Sequence, residues 1–194
     1  MKKKLTTVLA IVLVVALSVA GTYAYLTDKT GPVVNTFTVG NVNITLTETW
    51  NTDTDGNGEP DAWKMQLIPG TSAVKDPTVT VLGGSEKCYL FVKFEEKNSP
   101  TTYLTYTSTL TDANGWTKLE GESNVWYRVV DKADTNTSFV LLQADNKGNM
   151  VTVKDSVTNT NMEEAAKAEL VYTAYACQFE GMTAEQAWTA VKNA

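Results

Sequence analysis

Apolar and polar positions alternate with period two in short segments rich in Thr, Val, Tyr and Phe, at residues 35–49, 78–82, 88–95, 103–110, 125–131, 138–144, 150–157 and 168–179. That period sends one side of a pleated strand into a core and the other into water. Turn residues separate the segments, among them Gly83-Gly84, Asn114-Gly115 and Lys147-Gly148-Asn149, as antiparallel connections require. The pattern predicts an all-β antiparallel sandwich. In the first segment Phe37 and Val39 hold odd positions while Val42, Ile44 and Leu46 hold even ones. The inward face therefore changes phase across Gly40-Asn41, where a β-bulge restores the register. Residues 170–179 are apolar or small at nearly every position, so this strand is covered on both faces and belongs in the middle of a sheet.

Two places break the strand period. Thr183 is a cap for a short C-terminal helix, with Gln186 at the reciprocal capping-box position and Ala184, Ala187, Trp188 and Val191 as one apolar stripe. A single helical turn is predicted at 162–166, where two Glu and two Ala follow Met162. The chain shows no internal repeat.

The first residues follow neither period. Lys2, Lys3 and Lys4 precede a run from Val8 to Ala20 that is apolar except for Ser18, the form of a secretory signal. Thr22-Tyr23-Ala24 places small residues at the −3 and −1 positions of a cut, giving a signal peptide at 1–24 and one β-sandwich domain at 25–194. The competing reading is an uncleaved anchor, because no charge falls between Lys4 and Asp28. Cleavage would leave 25–34 as a tail with only Asp28 and Lys29 charged, a donor strand for a neighbour's sheet edge. Folding back onto its own sheet is the alternative for that tail.

Composition narrows the function. With 43% hydrophobic and 20% charged residues the 194-residue chain can bury a core. Its net charge is −6 and no basic block lies beyond the N-terminus, which argues against a nucleic-acid partner. There is no histidine, so Ser-His-Asp and Cys-His catalysis and imidazole-ligated zinc are all excluded. Two cysteines cannot build a thiolate zinc site alone. Cys88 and Cys177 fall in predicted strands, either as an inter-strand disulfide or as small buried hydrophobes.

One loop has metal-ligand spacing. Asp53, Asp55, Asn57, Glu59 and Asp61 present oxygens at alternate positions, with Gly58 sixth where a calcium loop turns sharply. Lys64 stands where an EF-hand needs its bidentate glutamate, so the candidates are a simpler calcium turn that rigidifies the loop or an unliganded polar loop. Glu95 and Glu96 cannot flank one glycosidic bond, since adjacent strand residues point to opposite faces. Trp50, Trp63, Trp116, Trp126 and Tyr127 are read either as core or as a sugar-stacking face.

Gly21-Thr22-Tyr23-Ala24-Tyr25-Leu26-Thr27-Asp28, followed by Asn35-Thr36-Phe37-Thr38-Val39-Gly40-Asn41-Val42 and Ile44-Thr45-Leu46-Thr47-Glu48, resembles the start of TasA/camelysin family proteins. Pro69-Gly70, Lys75-Asp76-Pro77-Thr78-Val79, Tyr89-Leu90-Phe91-Val92-Lys93 and Thr173-Ala174-Tyr175-Ala176-Cys177-Gln178 extend the resemblance over most of 25–194. It implies a jelly-roll-like β-sandwich, export through a SipW-type signal peptidase, and a place at the cell surface or in the extracellular matrix. It also implies self-assembly into biofilm fibres, with no membrane attachment after cleavage. Camelysin itself is described as a metallo-endopeptidase, but without histidine or HExxH no catalytic residue carries over to this chain. A self-associating matrix protein and an exported metalloprotease or calcium-dependent surface enzyme are the two functional expectations.

Overall fold

Strands form where the sequence alternates, and one long central strand organises them. The computed structural model describes residues 27–30, 42–48, 65–111, 114–143 and 148–193. Among these the strands are β1 (Thr27–Thr30), β2 (Ile44–Thr47), β3 (Ser72–Val74), β4 (Thr78–Val81), β5 (Cys88–Lys97) and β6 (Leu104–Thr105). They continue with β7 (Thr117–Lys118), β8 (Val125–Val130), β9 (Thr137–Val140), β10 (Met150–Val153) and β11 (Glu169–Gln178). The helices are α1 (Pro100–Tyr103), α2 (Met162–Ala165) and α3 (Ala184–Val191).

The largest sheet has the order β1-β11-β5-β8-β7, and two smaller sheets have the orders β3-β10-β6 and β2-β4-β9. All strand pairings among the described residues are antiparallel. β11 is central as the sequence predicts: it pairs with β5 from Glu169↔Lys97 to Gln178↔Cys88 and with β1 on its other side. Its even residues Tyr172, Ala174 and Ala176 join Leu90, Val92 and Phe94 of β5 in a core shared with Ile44 of β2 and Val79 and Val81 of β4. Its odd residues Tyr175 and Cys177 face the opposite way and join Tyr89, Phe91 and helix α3. Two-sided cover explains why alternation is lost in this strand and in β5 beside it, where Cys88 to Val92 are all buried.

Helix α3 bears out its predicted cap. The Thr183 side chain accepts from Gln186 N at 3.4 Å, and the Gln186 side chain accepts from Thr183 N at 2.9 Å. Ala184, Ala187, Trp188 and Val191 are buried, and Trp188 Nε1 donates to Glu122 Oε1 at 2.7 Å. Full burial of each large apolar side chain here is worth about 1.5–3 kcal/mol. A third, smaller cluster gathers Leu104, Val151, Val153, Val157 and Ala165 beside the β3-β10-β6 sheet.

Two expectations are corrected in detail and one alternative is decided. The segment predicted as a strand at 103–110 starts as helix α1, with Pro100 at its first turn, and keeps only the two residues of β6. The short strands β3 and β7 were not anticipated from the pattern. Trp116 and Trp126 are buried and Tyr127 is half-buried against the α3 side, so these three belong to the cores and not to a stacking face. The signal at 1–24, the bulge at Gly40-Asn41, the loop of Asp53 to Asp61, and Trp50 and Trp63 lie outside the described residues.

Candidate functional site

Period two continues through the corner between β3 and β4. Ala73, Lys75, Pro77, Val79 and Val81 are more buried than Ser72, Val74, Thr78 and Thr80. Lys75 N donates to Asn149 O at 2.7 Å and Leu141 N to Pro77 O at 2.9 Å, which carries the hydrogen bonding round the corner. The same parity that buries Val79 drives the Lys75 side chain inward. An unpaired ammonium there would cost several kcal/mol.

Glu48, directly after β2, answers it. Lys75 Nζ donates to Glu48 Oε1 at 2.7 Å and to Oε2 at 3.0 Å, and the two side chains are only 5% and 15% exposed. The ammonium also lies 5.6 Å from the centre of the Tyr172 ring, within cation–π range. Burial raises the Glu48 carboxyl above its ordinary value against the opposing pull of Lys75.

Two phenols complete the cluster. The Tyr172 hydroxyl is buried without a hydrogen-bond partner and the Tyr106 hydroxyl is buried facing Glu96, and the Phe94 ring stands 4.8 Å from Tyr172 and 6.3 Å from Tyr106. Burial pushes both phenols far above their ordinary value, helped by Glu48 and Glu96 at Tyr172 and by Glu96 at Tyr106. The phenols therefore stay protonated near neutral pH, while the ion pair is internally neutral. Chemically the cluster is a tie: it joins the residue after β2, the corner before β4 and the middle of β11. Glu48 and Met65 are also the described residues on either side of 49–64, the stretch that carries the proposed calcium ligands.

An open cleft of about 420 Å³ is lined by Glu95, Glu96, Ser108, Thr109, Lys118 and Asn124 together with Phe94 and Trp126. Its carboxylates do not form a facing pair. Glu95 bonds Lys93 at 2.7 Å, and Glu96 is the next residue of the same strand, so their side chains leave opposite faces.

Among the described residues no group of three or more Cys, Asp or Glu side chains is placed to hold a metal ion. The sequence-predicted ligands Asp53, Asp55, Asn57, Glu59 and Asp61 all fall in 49–64, outside the described residues. Lys75, Glu48 and Tyr172 were not singled out by residue type. The available signal was the parity of 72–81, which puts a lysine in register with buried valines. Comparison with protein-family models, with curated proteins and with solved structures finds no match to this chain.

Proposed function

We propose that the protein is an exported structural protein that self-associates in an extracellular or biofilm matrix by adding its N-terminal strand to a neighbour. The reading starts from the seat of β1, where residues 27–30 fold back onto the chain's own sheet, the alternative arrangement for this tail, so a donor role has to work by exchange. This four-residue edge strand is joined by main-chain pairing to β11, from Thr27↔Cys177 to Thr30↔Ala174. It lies just after the proposed cut at Ala24. An identical strand from a second copy would make the same hydrogen bonds in that seat, so exchange costs little once copies are concentrated. The chain's own β1 is then the resting occupant, and the donor tail of 25–34 works by exchange and not by filling an empty edge.

The resemblance to the TasA/camelysin family supports the same reading and adds a jelly-roll-like sandwich, signal peptidase processing and release from the membrane. A calcium ion on Asp53, Asp55, Asn57, Glu59 and Asp61 would serve to stiffen that loop. Deletion of 25–34 tests the proposal by sedimentation and electron microscopy. A folded monomer that no longer assembles is expected; a truncated protein that polymerises as before defeats the exchange model.

A further inference from the structure

Asn114-Gly115 is one of two Asn-Gly steps in the chain; the other, Asn57-Gly58, lies outside the described residues. Glycine hinders attack on the preceding asparagine side chain least, because it brings no Cβ. The step sits in a tight turn: Asn114 N donates to Thr111 O at 3.0 Å, Trp116 N donates to the same carbonyl at 3.4 Å, and Gly115 has φ +74°. Asn114 is half-buried and Gly115 exposed, so solvent reaches this turn.

The chain's sole arginine lies against that peptide. Arg128 Nη1 donates to Asn114 O at 3.1 Å, and a Cβ on Gly115 would come 2.9 Å from Nη2. The guanidinium carbon is 3.7 Å from the centre of the Phe139 ring and 5.4 Å from that of Trp116, contacts that hold the group in place. Arg128 makes no ion pair with a carboxylate among the described residues, so none there competes for its charge. Burial pulls its pKa below the ordinary value, and a partly desolvated cation acts on a nearby anion more strongly than one in water.

The place where charge develops decides what this contact does. When base removes the Gly115 amide proton, the negative charge spreads over the amide and onto Asn114 O, the atom that Nη1 already faces. A fixed donor aimed at a developing oxyanion stabilises it without reorganisation. We propose that Asn114 is a self-modification site, at which Arg128 promotes deamidation by stabilising the deprotonated Asn114-Gly115 peptide. Hydroxide takes the Gly115 amide proton and becomes water, and the Gly115 nitrogen attacks Asn114 Cγ. The Cγ–Nδ2 bond breaks, and Nδ2 leaves as ammonia with a proton from water. Water then opens the cyclic imide at either carbonyl, giving aspartate or isoaspartate. The product sets a carboxylate beside Arg128, and every reacting group except water and hydroxide belongs to one chain, so the chemistry is independent of assembly.

The test is to incubate the purified protein at mildly alkaline pH, digest it, and follow the peptide carrying Asn114 by mass spectrometry with separation of the isoaspartyl form. Native wild type should convert about tenfold faster than native Arg128→Gln, the worth of one charge-assisted hydrogen bond to the anion. It should also convert faster than wild type unfolded in urea, where the two proteins should have equal rates. Native conversion no faster than in urea, equal native rates in wild type and Arg128→Gln, or a difference that persists in urea would overturn the proposal. If Arg128→Gln does not fold, the native-to-urea comparison of the wild type decides alone.

Discussion

Cys88 and Cys177 lie on neighbouring strands of one sheet but on its opposite faces. In the β5–β11 register Cys88 pairs with Gln178 and Cys177 with Tyr89. Cys88 joins the core shared with β2 and β4, and Cys177 joins the cluster under α3. Because successive strand residues alternate sides, the two sulfurs are separated by the sheet itself and both thiols are free.

Both thiols are also expected to be inert in the folded protein. Burial pushes Cys88 up to about 12, with Cys177 adding to the effect, and pushes Cys177 up to about 11, so the reactive thiolate is scarce at pH 8. Iodoacetamide should label neither residue natively and both in denaturant. Native labelling of Cys177 ahead of Cys88 would report loss of α3, which covers its face of the sheet. A mass one pair of hydrogens short after non-reducing isolation would contradict the arrangement.

Breaking the buried pair should cost more than removing it. Lys75→Met leaves the Glu48 carboxylate buried without its ammonium and is expected to lose about 3–5 kcal/mol, whereas Lys75→Met with Glu48→Leu should recover most of that loss. Urea denaturation of the single and double variants measures both. Equal losses would show that the pair is more exposed than its geometry indicates.

Glu48 also sets a direction with pH. Its folded pKa is raised above the ordinary 4.5, so the folded state holds this proton more tightly than the unfolded chain does. The stability it contributes is present below 4.5 and declines as pH rises through the raised value. Relative to Glu48→Gln, the wild type should lose stability across that window. A constant difference between the two proteins from pH 4 to pH 7 would refute it.

The adjacent glycines of the turn after β4 should respond differently to alanine. A Cβ on Gly83 would lie 2.4 Å from Asp134 O and 2.9 Å from Asp134 C, so backbone must move. Gly84 has φ +84° and nothing within 4 Å, leaving only conformational strain of about 1–2 kcal/mol. Thermal melts should therefore rank Gly83→Ala below Gly84→Ala.

Calcium should raise the melting temperature modestly, with an affinity of roughly 10⁻⁴ to 10⁻³ M, because Lys64 replaces the strongest EF-hand ligand. Asp55→Asn with Asp61→Asn should abolish the shift. No heat of binding and no change in melting at several times that concentration would eliminate the site.

Much of this architecture is legible from periodicity. The uniform apolarity of β11 revealed its central place, and Thr183 with Gln186 revealed the longest helix among the described residues. The limits of short strands were less visible: Tyr103 to Leu110 alternates well, yet Pro100 starts a helical turn and the chain leaves the sheet after Thr105. The buried tie was harder still. Lys75 and Glu48 look like ordinary surface charges until the parity of one strand is followed through its corner. Which carboxylate answers that lysine is a long-range fact, 27 residues distant, that no local pattern encodes.

The pairing of β11 with β5 also governs when this chain can fold. The two strands are separated by all of residues 98–168, and β11 supplies the slot between β1 and β5 that holds the large sheet together. Until residues 169–178 have been synthesised, β5 has a bare edge, β1 has no seat and α3 has only part of its floor. Such distant pairing makes closure slow and late. A partly emerged chain lacking β11 would remain open and protease-sensitive, and the native sheet would assemble in one cooperative step after that strand emerges.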